Sequence, residues 1–313
     1  MNEKAKGYLL AVIAAASYGM NPLFALPLYA DGMDTDSVLF FRYLFAIPML
    51  AVMLRTRRGN DFHLRGKDVL PLVVMGILVA LSSLTLFEAY NYMDAGIAST
   101  ILFVYPIMVA LIMAALYKEK VTLQTGLCLL LALSGIAILY QGGDGVTLSL
   151  TGTLLVLASA LSYALYIVGV NRPGLKEMPT LKVTFYVLLF GISLFIVRIW
   201  TNDAISLPTR WWLWGNLVAL GLFPTAISFL CTTSAIQRIG STPTAILGAL
   251  EPLTAIFFGI TLFGERLTAR DCMGITLILV AVTVVIAGHG ITHQLVRFRK
   301  LFPRLARKRH DTE

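Results

Sequence analysis

Charge is what this sequence lacks. Only 13% of its 313 residues are Asp, Glu, Lys or Arg, and 58% are apolar. Soluble domains carry about 25% charged residues, so this chain cannot cover a water-facing surface and most of it must be solvated by lipid. Long polar stretches are missing too: the longest polar connection, Arg55 to Asp68, has fourteen residues, too few for a soluble domain. The net charge of +8 does not indicate a nucleic-acid partner, because the basic residues sit in loops between apolar runs and in the tail.

Reactive side chains are scarce as well. The three cysteines, Cys128, Cys231 and Cys272, lie within or at the edge of apolar runs without paired metal-ligand spacing, and read as small apolar residues. The four histidines, His63, His289, His293 and His310, all fall outside the apolar runs. His289 and His293 have helical metal spacing but no nearby acidic partner, so no metal centre is expected. No P-loop is present, which argues against ATP as an energy source, and no cofactor is expected. A polytopic membrane enzyme would need a nucleophile–base set or metal ligands, and a channel a charge ring or carbonyl filter; neither is legible. Both classes remain as alternatives.

What the sequence has is apolar runs of membrane length. Ten of them lie at about 7–29, 37–54, 69–92, 95–117, 122–140, 151–171, 181–199, 212–236, 241–263 and 268–288. A helix needs about 20 residues to cross the hydrocarbon, and the strict alternation of a barrel strand is absent. The first run is too long for a signal-peptide core and reads as a span. With the N-terminus in the cytoplasm, 20 of the 25 Lys and Arg residues fall inside and only Arg198, Arg210, Arg266 and Arg270 outside, with Arg42 within a span. This bias places both ends in the cytoplasm of a cell (inner) membrane protein. Trp211, Trp212 and Trp214 then open the eighth span at the outer interface. The tail, 291–313, interleaves Phe298, Leu301, Phe302 and Leu305 with arginines and reads as an anchor of orientation, with binding to anionic lipid as the alternative.

The chain is also written twice. Pro106, Glu119 and Thr122 recur as Pro252, Glu265 and Thr268. Gly7, Leu9, Leu10, Ser17 and Tyr18 recur 145 residues later as Gly152, Leu154, Leu155, Ser162 and Tyr163; Phe40 and Gly76 recur as Phe185 and Gly221, and from Ala89 and Ala235 the offset is 146. The expected organisation is a first repeat over 1–145, a second over 146–290, and the basic tail. Five spans per repeat is odd, so the second copy must cross the membrane in the opposite sense, an all-α fold of ten helices in two inverted halves. Such halves allow alternating access, one half in each of two conformations that exchange.

The segments AGIASTILFVYPIMVALIMAALYKEKVT and GSTPTAILGALEPLTAIFFGITLFGERLT, each followed by a Gly-containing apolar span, resemble the EamA transporters of the drug/metabolite transporter superfamily, as does the arginine of FFRYLF. The resemblance covers about residues 7–288. It departs at Tyr18-Gly19, where the family often has Trp-Gly. It implies a secondary transporter that moves a small organic metabolite, an amino acid or similar solute, with export as the common direction. Substrate, direction, coupling ion and the choice of monomer or dimer are left open.

Charges at membrane depth are costly and mark cavities or partners. Glu251 is the deepest, in the ninth span, followed by Pro252, which removes the donor for the Gly248 carbonyl. Two readings stand side by side: Glu251 binds a proton or a cationic substrate group, or it is a protonated packing residue. Arg42, near the outer end of the second span, is expected to pair with Glu88 rather than touch substrate. Ser17 and Asn21 share a helix face, as do Ser82, Thr85 and Glu88, and Ser159, Ser162, Tyr163 and Tyr166. Such stripes predict a central cavity, where Tyr18, Tyr105, Tyr163 and Tyr166 present rings to an organic solute. Pro106 and Pro252 are expected helix breaks. Glu119 and Glu265 read as structural charges at the starts of the helices that follow them. Tyr105 and Glu251 occupy the same place in the two copies.

Overall fold

A computed structural model describes residues 3–56, 62–117, 123–140, 149–170, 174–175, 177–202, 205–239, 247–248 and 250–284. Glu119, Thr122, His289, His293 and the tail lie outside these. Every regular element among the described residues is helical: α1 Glu3–Gly19, α2 Asn21–Ala30, α3 Thr35–Thr56, α4 Gly66–Ala89, α5 Ala95–Leu102, α6 Tyr105–Tyr117, α7 Leu123–Tyr140, α8 Leu150–Val170, α9 Thr180–Asn202, α10 Leu213–Gly221, a π-helical segment Leu222–Ile227, α11 Ser228–Ile239, α12 Leu250–Phe263, and α13 at 269–284. Six stretches, Glu3–Ala30, Thr35–Thr56, Gly66–Ala89, Leu150–Val170, Thr180–Asn202 and Leu213–Thr232, are long and apolar enough to cross a bilayer; Ala95–Val109 and Leu250–Phe263 are shorter apolar helices. Large apolar side chains such as Val52, Leu130, Phe257 and Trp211 point outward, as a lipid-solvated exterior requires.

Prolines interrupt the apolar stretches. The first breaks at Met20, just ahead of Pro22, which has no N–H for the carbonyl of Tyr18. The next break falls at Phe103 and Val104, ahead of Pro106. In the third, Pro224 lies within the π segment: it cannot donate to the Leu220 carbonyl, and the Thr225 hydroxyl does so instead at 2.9 Å. At Pro252 the expectation of a free carbonyl is corrected. The Glu251 N–H donates to the Gly248 carbonyl at 2.9 Å, so the turn tightens by one residue and satisfies it.

The helices of the first 145 residues pack mainly on those of the remainder: α4 on α8 and α9, α1 on α11 and α12, α3 on α9 and α10, α5 on α12, and α6 on α8. Close approaches at glycine set these contacts. A Cβ on Gly76 would meet the Val187 carbonyl oxygen at 2.7 Å, the Gly191 nitrogen at 2.9 Å and the Phe190 Cβ at 3.1 Å. A Cβ on Gly221 would meet the Arg42 carbonyl oxygen at 3.1 Å, the Ala46 nitrogen at 3.1 Å and the Phe45 Cβ at 3.0 Å. These are the same three atoms at positions 145 residues apart. Gly7 against Arg238 and Ile239, and Gly152 against Tyr92 and Met93, repeat the pattern. Small residues permit this approach in lipid, where packing rather than water expulsion joins helices.

Candidate functional site

Two small cavities lie between the halves, and Tyr18 on α1 lines both. Each has room for about one water molecule, too little for a metabolite. The first is lined by Arg42 and Tyr43 from α3, Ser82 and Ser83 from α4, Tyr163 from α8 and Thr225 from the π segment. The second is lined by Asn21 from the start of α2, Tyr90, Ser99 and Glu251 from the start of α12.

Arg42 is buried, 3% exposed. Its Nε donates to the Thr225 hydroxyl at 2.8 Å, and its guanidinium lies 5.1 Å from the centre of the Phe87 ring. This corrects the expected pair with Glu88: among the described residues no ion pair joins the two. Glu88 sits one residue past Phe87, at the C-terminal end of α4, and lines neither cavity. Arg42 is instead held by a hydroxyl and a π face. Thr225 was not singled out in the sequence, though Pro224-Thr225 inside an apolar run is the signal that finds it: the same hydroxyl repairs the proline break and receives the arginine.

Around this centre the polar stripes become contacts. Ser82 Oγ and Ser159 Oγ lie 3.0 Å apart, and Ser159 donates to the Ser82 carbonyl at 2.7 Å, joining α4 to α8. Ser228 donates to the Ala14 carbonyl at 3.0 Å, joining α11 to α1. The Tyr43 and Ser83 hydroxyl oxygens are 3.1 Å apart. Tyr105 meets Tyr163 edge to face at 4.9 Å, and Tyr163 stacks on Tyr166 at 5.9 Å. Of the sequence-predicted residues, Tyr18, Arg42 and Tyr163 thus share the first cavity, Tyr18, Asn21 and Glu251 the second, and Tyr105 and Tyr166 stand behind Tyr163 in the aromatic cluster. Tyr43, Ser83, Tyr90 and Ser99 add polar groups without having been singled out, and Val79, Leu188 and Phe229 in the first cavity and Gly19, Leu86 and Leu102 in the second make the rest of the walls apolar.

Glu265 is structural in a way the sequence reading placed on the wrong helix. Its carboxylate accepts the N–H of Ala95 at 3.0 Å, at the start of α5 in the other half. A Cβ on Gly259 would lie 2.0 Å from that carboxylate, so a larger residue there would have to displace the Glu265 side chain from this position. The helix after Glu265 needs no help from it: Thr268 and Asp271 form a capping box, with the Thr268 N–H donating to Asp271 at 2.8 Å and the Asp271 N–H to the Thr268 hydroxyl at 3.2 Å. Burial, and then the Asp94 carboxylate, hold the Glu265 carboxyl above its usual range, partly offset by the N–H groups of Ala95 and Gly96.

A belt of carboxylates joins the segments following α2 and α9. Asp31 accepts from the Thr209 N–H at 2.7 Å and its hydroxyl at 2.6 Å, and these bonds hold the carboxyl below its ordinary range. Asp34 bonds Ser206 and Ser37, and Asp36 pairs with Arg198 at 2.5 Å. Among the described residues no group of three His, Cys, Asp or Glu is placed to hold a metal.

The apolar helices and their polar seam define a multi-pass α-helical membrane protein. The profile of the EamA-like transporter family matches the chain twice, over residues 5–141 and 150–287. The chain belongs to that family. An uncharacterized transporter of Archaeoglobus fulgidus is 28% identical over 81% of this chain and 87% of its own length. The uncharacterized inner membrane transporter YicL of Salmonella typhimurium is 25% identical over 91% of this chain and 96% of its own. A crystal structure of a protein 18% identical in sequence superposes with a TM-score of 0.65, covering 90% of this chain and 96% of the other, which shows a shared fold.

Proposed function

We propose that this protein is a secondary transporter that moves a small organic solute, an amino acid or similar metabolite, across the cytoplasmic membrane by alternating access. Its ten spans form two inverted halves with both termini in the cytoplasm, and the solute binds where the two cavities meet at Tyr18. The observation that carries this reading is that polar groups from both halves, among them Arg42, Thr225, Asn21 and Glu251, converge on a seam inside an otherwise apolar bundle. The mirrored contacts of Gly76 and Gly221 support the inverted halves. The cavities are too small for a metabolite, which is in keeping with a closed member of the cycle. Export is the direction the family resemblance implies.

The test is a counterflow screen of amino acids, drugs and sugars with purified protein in proteoliposomes, with and without a pH gradient. Saturable flux stimulated by solute on the opposite side is expected. Non-saturating flux would identify a channel, and chemical conversion of the solute an enzyme. In the same assay Glu251→Gln tests the role of that carboxylate: unchanged rate and pH dependence would remove it from the mechanism.

A further inference from the structure

We propose that the first cavity is an anion subsite: Arg42, with the hydroxyls of Tyr18 and Tyr163, binds a singly charged anionic group, either the carboxylate of the transported solute or a chloride ion. This rests on the transporter reading above and names the charge that its site selects. Arg42 lies on a helix of membrane length and is 3% exposed. A buried charge is costly unless it is paired and hydrogen-bonded. Its Nε is satisfied by Thr225, and its guanidinium rests near the Phe87 ring. Neither partner carries a negative charge. Among the described residues no carboxylate pairs with Arg42, and its two terminal nitrogens donate no hydrogen bond. The wall of the cavity holds no carboxylate; Glu251 lines the second cavity, and Tyr18 is common to both.

The wall offers hydrogens for an anion to accept. Ser159 donates to the Ser82 carbonyl, so the Ser82 hydroxyl donates to Ser159 Oγ and its hydrogen is taken. The Thr225 hydrogen goes to Leu220. Tyr43 and Ser83 share a hydrogen bond, which leaves one of their hydrogens free. The hydroxyls of Tyr18 and Tyr163 bond no described residue. The wall therefore holds a guanidinium fork and three free hydroxyl hydrogens, donors that match a carboxylate or a halide. Val79, Leu188 and Phe229 make the rest of it apolar, and an apolar surround strengthens a charge-assisted bond. The space is that of about one water molecule. Chloride is slightly larger and a carboxylate larger still, so the group enters as the seam loosens. Tyr18 and Tyr163 are equivalent positions of the two repeats, 145 residues apart, as are Tyr43 and Leu188. With inverted halves, this puts the cavity on the axis that relates them, where a bound group meets the same two tyrosines whichever side is open.

The test uses the purified full-length protein in detergent, titrated with sodium chloride or sodium formate against sodium HEPES at constant ionic strength and pH. A saturable rise of the unfolding midpoint with chloride or formate is expected. Arg42→Gln should abolish it. Tyr18→Phe and Tyr163→Phe, which keep the ring, should each weaken the apparent affinity by about tenfold, and they give a reading even where Arg42→Gln fails to fold. Counterflow separates the two sources of the anion. If the solute carboxylate is the ligand, amino acids exchange, their amides do not, and chloride raises the apparent KM. If chloride is the ligand, acid and amide exchange alike, and replacing chloride lowers the rate. The proposal is overturned if neither anion stabilises the wild-type protein above HEPES, or if the response survives undiminished in the variants. Solute exchange without any anion response leaves the carrier standing and removes the anion site. An anion response that the variants lose, without exchange of any solute, does the reverse.

Discussion

The packing seams and the cavities of this protein obey different rules. At the seams the two copies keep the same contacts atom for atom: Gly76 touches positions 187, 190 and 191 of α9, and Gly221 touches 42, 45 and 46 of α3. In the cavities the copies part. Tyr18 has its counterpart in Tyr163, but Arg42 corresponds to Val187, Asn21 to Tyr166, Thr225 to Ala80 and Glu251 to Tyr105. Helix approach tolerates little change, because a Cβ pressed into backbone has nowhere to go. A cavity wall has no such constraint, so one copy can carry charge where the other carries a ring. Repetition builds the frame here, and departure from repetition lines the cavities.

The largest expected effect tests the frame. Gly76→Leu and Gly221→Leu should each cost about 3 kcal/mol, since the new side chain meets backbone. The check is recovery of monodisperse protein after heating in detergent, and damage from only one of the two would break the equivalence of the copies. Next comes the asymmetric centre. Thr225→Val removes the donor to Leu220 and the acceptor of Arg42 together, and should cost about 2 kcal/mol by the same readout. A neutral outcome would mean that Arg42 finds another partner. Glu265→Ala removes a cap and should cost about 1 kcal/mol. Faster hydrogen exchange at Ala95 and Gly96, with the rest of α5 unchanged, would localise it.

The smallest effects are in pH, and they have opposite signs in two places. The Asp31 carboxyl is held below its ordinary value, so its contribution is present above that value and is lost as the pH falls through the lowered one. For Glu265 the value is raised, so its contribution is present at low pH and lost as the pH rises through the raised value. Asp31→Asn should therefore flatten the acid limb of a stability profile and Glu265→Gln the limb above it. Identical profiles for the two variants would refute the distinction.

Much of this was legible in the residues. Hydropathy marked the apolar stretches, the repeated Pro106 and Pro252 segments marked the duplication and the family, and depth in a span marked Arg42 and Glu251. The errors concern partners. Arg42 and Glu88 looked paired because both lie near the same end of their spans, yet Arg42 is turned toward Thr225. Glu265 looked like a charge for the helix after it, yet the Thr268–Asp271 box already serves that helix. The Gly248 carbonyl looked free because Pro252 has no N–H, yet a tighter turn supplies the Glu251 N–H instead.

By itself the sequence determined the solvent, the helical class, the duplication and the family, because apolar length, charge bias and repeat spacing are properties of the chain taken in order. Only the tertiary structure decided which groups meet. Arg42 and Thr225 are 183 residues apart, and Ala95 and Glu265 are 170 apart. Such pairs depend on the rotation and depth of each helix against its neighbour. Those are set by two packed surfaces at once, and neither surface is written in the segment that carries the charge.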